Sequence, residues 1–371
     1  MKRVALVHDW LTGLRGGERV LEAICRIYPE ADIFTLLHVP GSCGPIIESH
    51  RITTSFLQRL PLARTRYRNY LPLFPAAIES FDLRGYDLVV STSHAVAKGA
   101  KPPPGVRHVS YVHTPMRYVW DQFDVYFGKG RAGPLTRAAA HAFAPWLRRW
   151  DVRSTARATA LVANSRFIAA RIRRVWGRDA DEVVYPPVET GKFLPATDLT
   201  DEQKGPGGYA LVVTALVPYK RVELAVQSFA RLGRRLLVAG DGPGRKRLEA
   251  MAGPTVRFLG NVPHDDLVAL YAHAAFFVLP CEEDFGIAPV EAQAAGRPVL
   301  ALARGGALET VVPGKSGVLF AEPAVDSLIA GIDEIDRLQQ HFDPLWIRSH
   351  AERFAAPRFE REIRDTLARL A

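Results

Sequence analysis

The sequence predicts an α/β fold made of two Rossmann-like units, each a doubly wound parallel sheet. Three observations carry that reading. Short apolar strands alternate with helical segments through both halves of the chain. The alternation stops once, across a stretch at 183–208 rich in Pro, Gly and polar residues, and then restarts. A chain of 371 residues also exceeds the roughly 250–300 at which a single core stops growing.

Taken in order, RVALVHDW (3–10) reads as the first strand and GERVLEAICRIY (17–28) as a helix with Val20, Leu21, Ile24 and Ile27 on one side. ADIFTLL, DLVVSTS, RHVSYVHT and ATALVANS read as further buried strands, with helices between Arg131 and Arg157 and after Asn164. Beyond the break come the strand YALVVTAL, the helix RVELAVQSFARL, the strand RRLLVAG, the helix RKRLEAMAG and the strand VRFLG. The helix DDLVALYAHA, the strand AFFVLP, the helix PVEAQAAG and the strand PVLAL complete a second unit. The expected domains are 1–188, 189–345 and a helical tail, 346–371, kinked at Pro357.

Composition narrows the function classes. Hydrophobic residues make up 48% of the chain, as in a globular protein with a packed core. Cys25, Cys43 and Cys281 are odd in number and scattered, which suits reduced thiols in a cytoplasmic protein and no metal-ligand spacing. The N-terminus is basic and briefly apolar, but Asp9 interrupts it, so it reads as a strand and not a signal peptide. No apolar run approaches the roughly 20 residues that span a bilayer. The net charge of +9 is unevenly placed: residues 131–178 hold eleven arginines and one acid, Asp151, and residues 51–68 hold five arginines and no acid. Leu60, Leu62 and Tyr67 lie among those five, and Tyr70, Leu71, Leu73 and Phe74 follow. Such a mixture suits an anionic membrane surface, a nucleic acid, or merely a solvated arginine-biased face.

The most informative run is CEEDFGIAPVEAQAAGRPVLAL (281–302). It sets Glu283 and Glu291 around the strand-to-helix turn where open α/β sheets bind ligands. Gly286 lets the backbone approach a ligand, and bare N–H groups at the start of the helix favour a phosphate. One carboxylate can then face a ribose diol and the other a sugar, as in the donor half of a sugar-nucleotide site. The plainer reading is acids serving as helix N-terminal charges.

Glu283-Asp284-Phe285-Gly286-Ile287 followed by Glu291 resembles the signature of the family-four retaining glycosyltransferases, which have the two-domain GT-B architecture. The resemblance implies two parallel sheets facing across a cleft, a C-terminal helix crossing back to the first domain, Glu283 near the hydroxyls of the transferred sugar and Glu291 on the nucleotide ribose. It further implies donor contacts from Phe285, Gly286 and Ile287. Gly16-Gly17-Glu18, otherwise an ordinary tight turn, matches a stretch near the donor diphosphate, loose by one position. In YVHTPMRYVWD (111–121), His113 would be a strand-end packing residue on its own terms; the resemblance puts it at the transferred sugar. Lys220, a helix-start lysine, would neutralise the leaving diphosphate. The family places an Arg several residues earlier, where Ala215 stands here, and Arg221 is the alternative second cation. Gly240-Asp241-Gly242-Pro243-Gly244 lacks a spaced third glycine for a dinucleotide fingerprint and reads as supporting architecture. Asp179-Ala180-Asp181 has metal-pair spacing but reads as a solvated turn, so no metal or cofactor is expected.

These readings point to a hexosyltransferase acting on a nucleoside diphosphate sugar, with a glycan or undecaprenyl-diphosphate-linked acceptor at the cytoplasmic face of the inner membrane and no nucleic acid partner. The stretches 111–121 and 214–226 look most like bacterial mannosyltransferases of polysaccharide assembly, which implies GDP-mannose; UDP-glucose and UDP-galactose stay open. A sugar-nucleotide epimerase of the same architecture, and a non-catalytic glycan or nucleic-acid binder, are the rivals.

Overall fold

The computed structural model describes residues 2–128, 133–196, 198–200, 203, 205 and 207–370, and it divides into two units. The first comprises 1–187 with 357–371, the second 188–356. In the first, seven strands form one sheet in the order β3-β2-β1-β4-β5-β6-β7: β1 Val4–His8, β2 Asp32–Thr35, β3 Ile52–Thr54, β4 Leu88–Ser93, β5 Arg107–Val112, β6 Ala160–Ala163 and β7 Glu182–Val183. Every pairing is parallel. The chain winds outward from β1 to β3 and then returns to the other side of β1. The reversal lies between β1 and β4, and it opens a crevice at their carboxyl ends. Strands buried on both faces need apolar residues throughout, which is why β1 is buried over its whole length.

The second unit repeats the plan with six parallel strands in the order β10-β9-β8-β11-β12-β13. These are β8 Tyr209–Val213, β9 Arg235–Ala239, β10 Val256–Gly260, β11 Phe276–Leu279, β12 Val299–Leu302 and β13 Gly317–Phe320. Its reversal lies between β8 and β11. Helices Val222–Leu232 and Val325–Arg337 pack one face through Phe229, Leu328 and Ile332, all fully buried. A buried side chain of this size contributes about 1.5–3 kcal/mol.

Three features differ from the sequence reading. The tail does not leave the second unit at residue 346, because helix Pro344–Ala351 is tied into that unit. Ile347 is buried, Arg348 donates to the carbonyl of Ala294 at 2.9 Å, and His350 lies 3.1 Å from the carbonyl of Thr310. Nor is the tail one helix kinked at Pro357: Ala355 is extended, and Pro357 falls in the first turn of a separate helix, Ala356–Leu370, where its missing N–H costs nothing. That helix seals the first unit with Phe359, Ile363 and Leu367, four residues apart and buried beside Val4, Leu6 and Val20. The break at 183–208 is not all linker either. Phe193 is fully buried against Tyr271, ring centroids 5.3 Å apart. Residues 197, 201–202, 204 and 206 of that break lie outside the described residues. No described helix is long and apolar enough to cross a membrane.

Candidate functional site

In the second unit the loop after β8 and the loop after β11 meet at the sheet reversal. Pro218–Lys220 forms a single 3-10 turn, and Lys220 Nζ donates to Glu283 Oε1, each side chain 17% exposed. A partly buried lysine–carboxylate pair of this kind presents a cation at the crevice while its carboxylate holds it in place. Cys281 Sγ lies 3.9 Å from the same glutamate oxygen. The Glu283 loop is clamped by backbone: Gly306 N donates to Glu283 O at 2.8 Å, and a Cβ on Gly305, whose φ is +66°, would sit 2.2 Å from that carbonyl. Only glycine fits there.

Phe285 is buried and meets Phe354 edge-on at 5.3 Å. Gly286 caps helix Ile287–Ala294 at φ +89°, which turns the chain sharply enough to aim the helix start at the crevice. Glu291, on that helix, accepts a 2.9 Å bond from Tyr271 Oη. Burial, and then the charge of Glu291, push the Tyr271 hydroxyl far above its ordinary range, so it stays a donor. Sequence reasoning missed Tyr271, which lies inside a helix with no local pattern around it. Arg221 does not join either glutamate in an ion pair among the described residues. Its backbone is left-handed, φ +50°, at the cap of helix Val222–Leu232. The 240–244 turn is backbone scaffolding, with Leu216 N donating to Asp241 O and Gly244 N to Leu216 O.

The first unit gathers a second group at the carboxyl ends of β1, β4 and β5. His8 ends β1, and its Nδ1 lies 2.6 Å from Thr92 Oγ1. Glu18, at the third position of helix Gly16–Ile27, sets one oxygen 3.8 Å from His8 Nε2 and accepts the Arg15 N–H with the other at 3.1 Å. Burial pushes the Glu18 carboxyl up, but the hydrogen bond and charge of His8 leave it net below its ordinary value. His113 follows β5. Burial, then His94 and His8, hold its imidazole well below the usual histidine range, so it is neutral at pH 7. Its Nε2 is buried and meets no protein partner in the first unit's described residues. A Cβ on Gly17 would stand 3.6 Å from that nitrogen, so Gly17 leaves open the space the imidazole faces, and Gly16 opens the helix beside it.

Asp9 was read from sequence only as a charge that breaks an apolar run. It is fully buried and accepts the N–H groups of His94, Ala95, Val96 and Ala97 at 2.6–2.9 Å. His94 Nδ1 lies 3.2 Å from the same carboxylate. No sequence spacing links residue 9 to 94–97; the pairing of β1 with β4 does.

Asp179 and Asp181 sit in the short link between helix Arg166–Trp176 and β7. Asp179 faces Arg173 at 3.4 Å, and Asp181 accepts the N–H of Leu161 at 2.8 Å. The 131–178 basic stretch is only partly surface. Arg131 lies outside the described residues, Asp151 is a buried counter-ion 2.9 Å from Lys98, and Arg171 is 5% exposed against Asp121.

Two Rossmann-like units, one with a lysine and two glutamates at its sheet reversal and the other with a histidine cluster at its own, correspond to the GT-B class of fold. Comparison with known proteins agrees. Residues 14–192 match the profile described as Glycosyltransferase Family 4, and residues 201–342 that described as Glycosyl transferases group 1. The chain belongs to the family-four glycosyltransferases. A GDP-mannose-dependent alpha-(1-6)-phosphatidylinositol monomannoside mannosyltransferase of Mycolicibacterium smegmatis is 32% identical over 46% of this chain and 51% of its own length. The chain thus spans about half the length of this curated relative. A GDP-mannose-dependent alpha-mannosyltransferase of the same organism is 31% identical over 64% of this chain and 62% of its own. Among solved structures, sucrose-phosphate synthase from Thermosynechococcus elongatus shares the fold with a TM-score of 0.74 at 19% identity, over 100% of this chain and 99% of that one. Anabaena HepE in complex with UDP-glucose follows at 0.69 and 18%, over 98% and 99%.

Proposed function

We propose that the protein is a retaining mannosyltransferase that moves mannose from GDP-mannose to a glycan or lipid-linked acceptor in cell-surface polysaccharide assembly. The observation that carries the reading is the Lys220–Glu283 pair at the reversal of the second sheet, with Glu291 on the adjoining helix. The second unit binds the donor: Glu291 takes the ribose diol, Glu283 the sugar hydroxyls, and Lys220 with the N–H groups around Phe285, Gly286 and Ile287 the diphosphate. As the glycosidic bond breaks, charge builds on the leaving phosphate, and Lys220 stabilises it without a metal ion or other cofactor. The first unit binds the acceptor. Its Gly16-Gly17 turn leaves room for a phosphate or hydroxyl, and the neutral imidazole of His113 exchanges a hydrogen bond with a sugar hydroxyl. Arg221 adds at most a diffuse positive field. The enzyme works at the cytoplasmic face of the inner membrane as a peripheral protein. GDP-mannose is favoured because both similar mannosyltransferases are GDP-mannose-dependent.

A thermal-shift panel of GDP, UDP and ADP with their sugar forms tests the donor. GDP-mannose should raise the melting temperature most, and a response to UDP sugars alone would sink this choice. In radiolabelled transfer, Lys220→Ala should lower kcat by about a hundredfold or more. Undiminished turnover with unchanged donor affinity would remove Lys220 from the mechanism.

A further inference from the structure

We propose that the segment from Phe56 to Leu73 is the docking surface for an anionic lipid bilayer, and that Leu62 is the side chain that enters it. The proposal deepens the transferase reading, and rests on it, by naming the part of the first unit that meets the lipid carrying the acceptor.

Three large apolar side chains of this segment face solvent: Phe56 at 43%, Leu62 at 61% and Leu73 at 40% exposure. Leu62 is anomalous twice over. Besides its exposure, its backbone is left-handed, φ +54° and ψ +19°, a conformation that penalises a side chain with a Cβ and suits Gly or Asn. Folding gains nothing from a leucine held in that conformation with its side chain in water. Such a residue persists where something other than stability requires it.

The segment is not loose. Leu57, Ala63, Tyr67 and Phe74 are buried between the exposed positions. Tyr70 Oη donates to Pro61 O at 2.7 Å, and Arg66 N donates to Leu62 O at 2.7 Å. The buried set fixes the knot to the sheet and forces the remaining side chains outward. Those neighbours are cationic: Arg59, Arg64, Arg66 and Arg68 are all exposed, and no acid occurs between residues 51 and 78. Exposed apolar groups interspersed with arginine in one short segment match acyl chains beneath anionic head groups. A nucleic acid would satisfy the arginines but offers nothing to a leucine.

Placement supports the same partner. The segment leaves the carboxyl end of β3, the edge on which the histidine cluster lies. Its inner side chain Tyr67, and Phe74 just after the segment, pack on Trp10 at 5.2 and 6.0 Å, and Trp10 meets His94 edge-on at 4.3 Å. Two successive aromatic rings, Tyr67 or Phe74 and then Trp10, therefore link the knot to the cluster.

Vesicle co-sedimentation of the full chain at low salt provides the test, with phosphatidylethanolamine–phosphatidylglycerol vesicles against phosphatidylcholine alone. The wild type should bind the anionic vesicles and release them in high salt. Leu62→Gly should weaken binding by roughly fivefold to tenfold while its melting temperature stays level or rises, since glycine relieves the strained backbone. Arg64→Glu with Arg66→Glu should weaken it by roughly fivefold for each charge removed. A wild type that ignores anionic vesicles, or a Leu62→Gly variant that binds them equally well, overturns the proposal. So does tighter binding to a DNA duplex than to vesicles. The melting shift with GDP-mannose, measured without lipid on the same variants, keeps the two readings apart. A donor response without vesicle binding sinks this surface alone, and vesicle binding without a donor response sinks the transferase reading alone.

Discussion

At the scale of single residues the donor crevice is a set of reciprocal restraints. Lys220 is held by Glu283, Glu283 by the backbone of Gly306, and Glu291 by the hydroxyl of Tyr271. Removing one member takes a hydrogen-bond partner from a half-buried polar group, which costs more than the net worth of the bond itself. Tyr271→Phe deletes a single oxygen from a fully buried ring that keeps its packing on Phe193 and Phe277. The fold should survive, and Glu291 should lose its fixed rotamer. We expect the donor KM to rise by roughly tenfold with kcat little changed, a split seen directly in steady-state kinetics; an unaltered KM would separate Glu291 from the donor. Glu283 and Lys220 stand out in the sequence because each follows an apolar strand at a turn, and Glu291 because it lies in the helix that Gly286 opens; the roles expected of them come from the family resemblance. The contacts of Tyr271 and Asp9 were not legible, since their partners are distant in sequence.

Elements were legible where burial made them uniform. The strands β1, β4, β5, β8, β11 and β12 announce themselves as apolar runs, and all are central in their sheets. The edge strand β3 did not. It is three residues long, half-buried, and carries two threonines, so it reads as part of the basic loop around it. The turn after β4 shows what a strand pattern omits. Residues 94–97 present four consecutive N–H groups, and the single buried carboxylate of Asp9 satisfies them all. That turn carries His94 and precedes Lys98, so its geometry governs one side of the first unit's crevice. Asp9→Ala should cost about 3 kcal/mol or more by leaving buried donors unmet, read as a lower midpoint in urea unfolding. Asp9→Asn keeps one acceptor oxygen and should recover part of the loss. If both variants unfold at the wild-type midpoint, the carboxylate is not what orders the turn.

On the scale of the whole molecule, the two units carry different pH liabilities. His108 is fully buried, with Nε2 2.8 Å from Ser91 Oγ and Nδ1 3.2 Å from the carbonyl of Arg157. Burial pushes its pKa down to about 4, the Arg157 carbonyl opposes this, and the charges of Lys98, Arg157 and Arg178 add to the fall. The unfolded chain takes up that proton near pH 6.5 and the folded one only near 4, so stability is full above 6.5 and drains as the pH falls between those values, by about 3 kcal/mol for this group alone. His94 and His113 are held low in the same unit and act in the same sense. Glu18, below its ordinary value, adds a loss at lower pH still. In the second unit His350 is held low, but the Asp336 carboxyl is pushed up by burial, which works in the opposite direction. Acid should therefore unfold the first unit before the second. Trp10, Trp120, Trp146, Trp150 and Trp176 lie in the first unit and only Trp346 in the second, so tryptophan fluorescence reports mainly the former and far-ultraviolet dichroism both. On titration from pH 7 to 4 the fluorescence change should come first, with much of the ellipticity retained, and His108→Gln should move it to lower pH. Coincident transitions by both probes would refute the division, and an unshifted fluorescence midpoint in that variant would acquit His108.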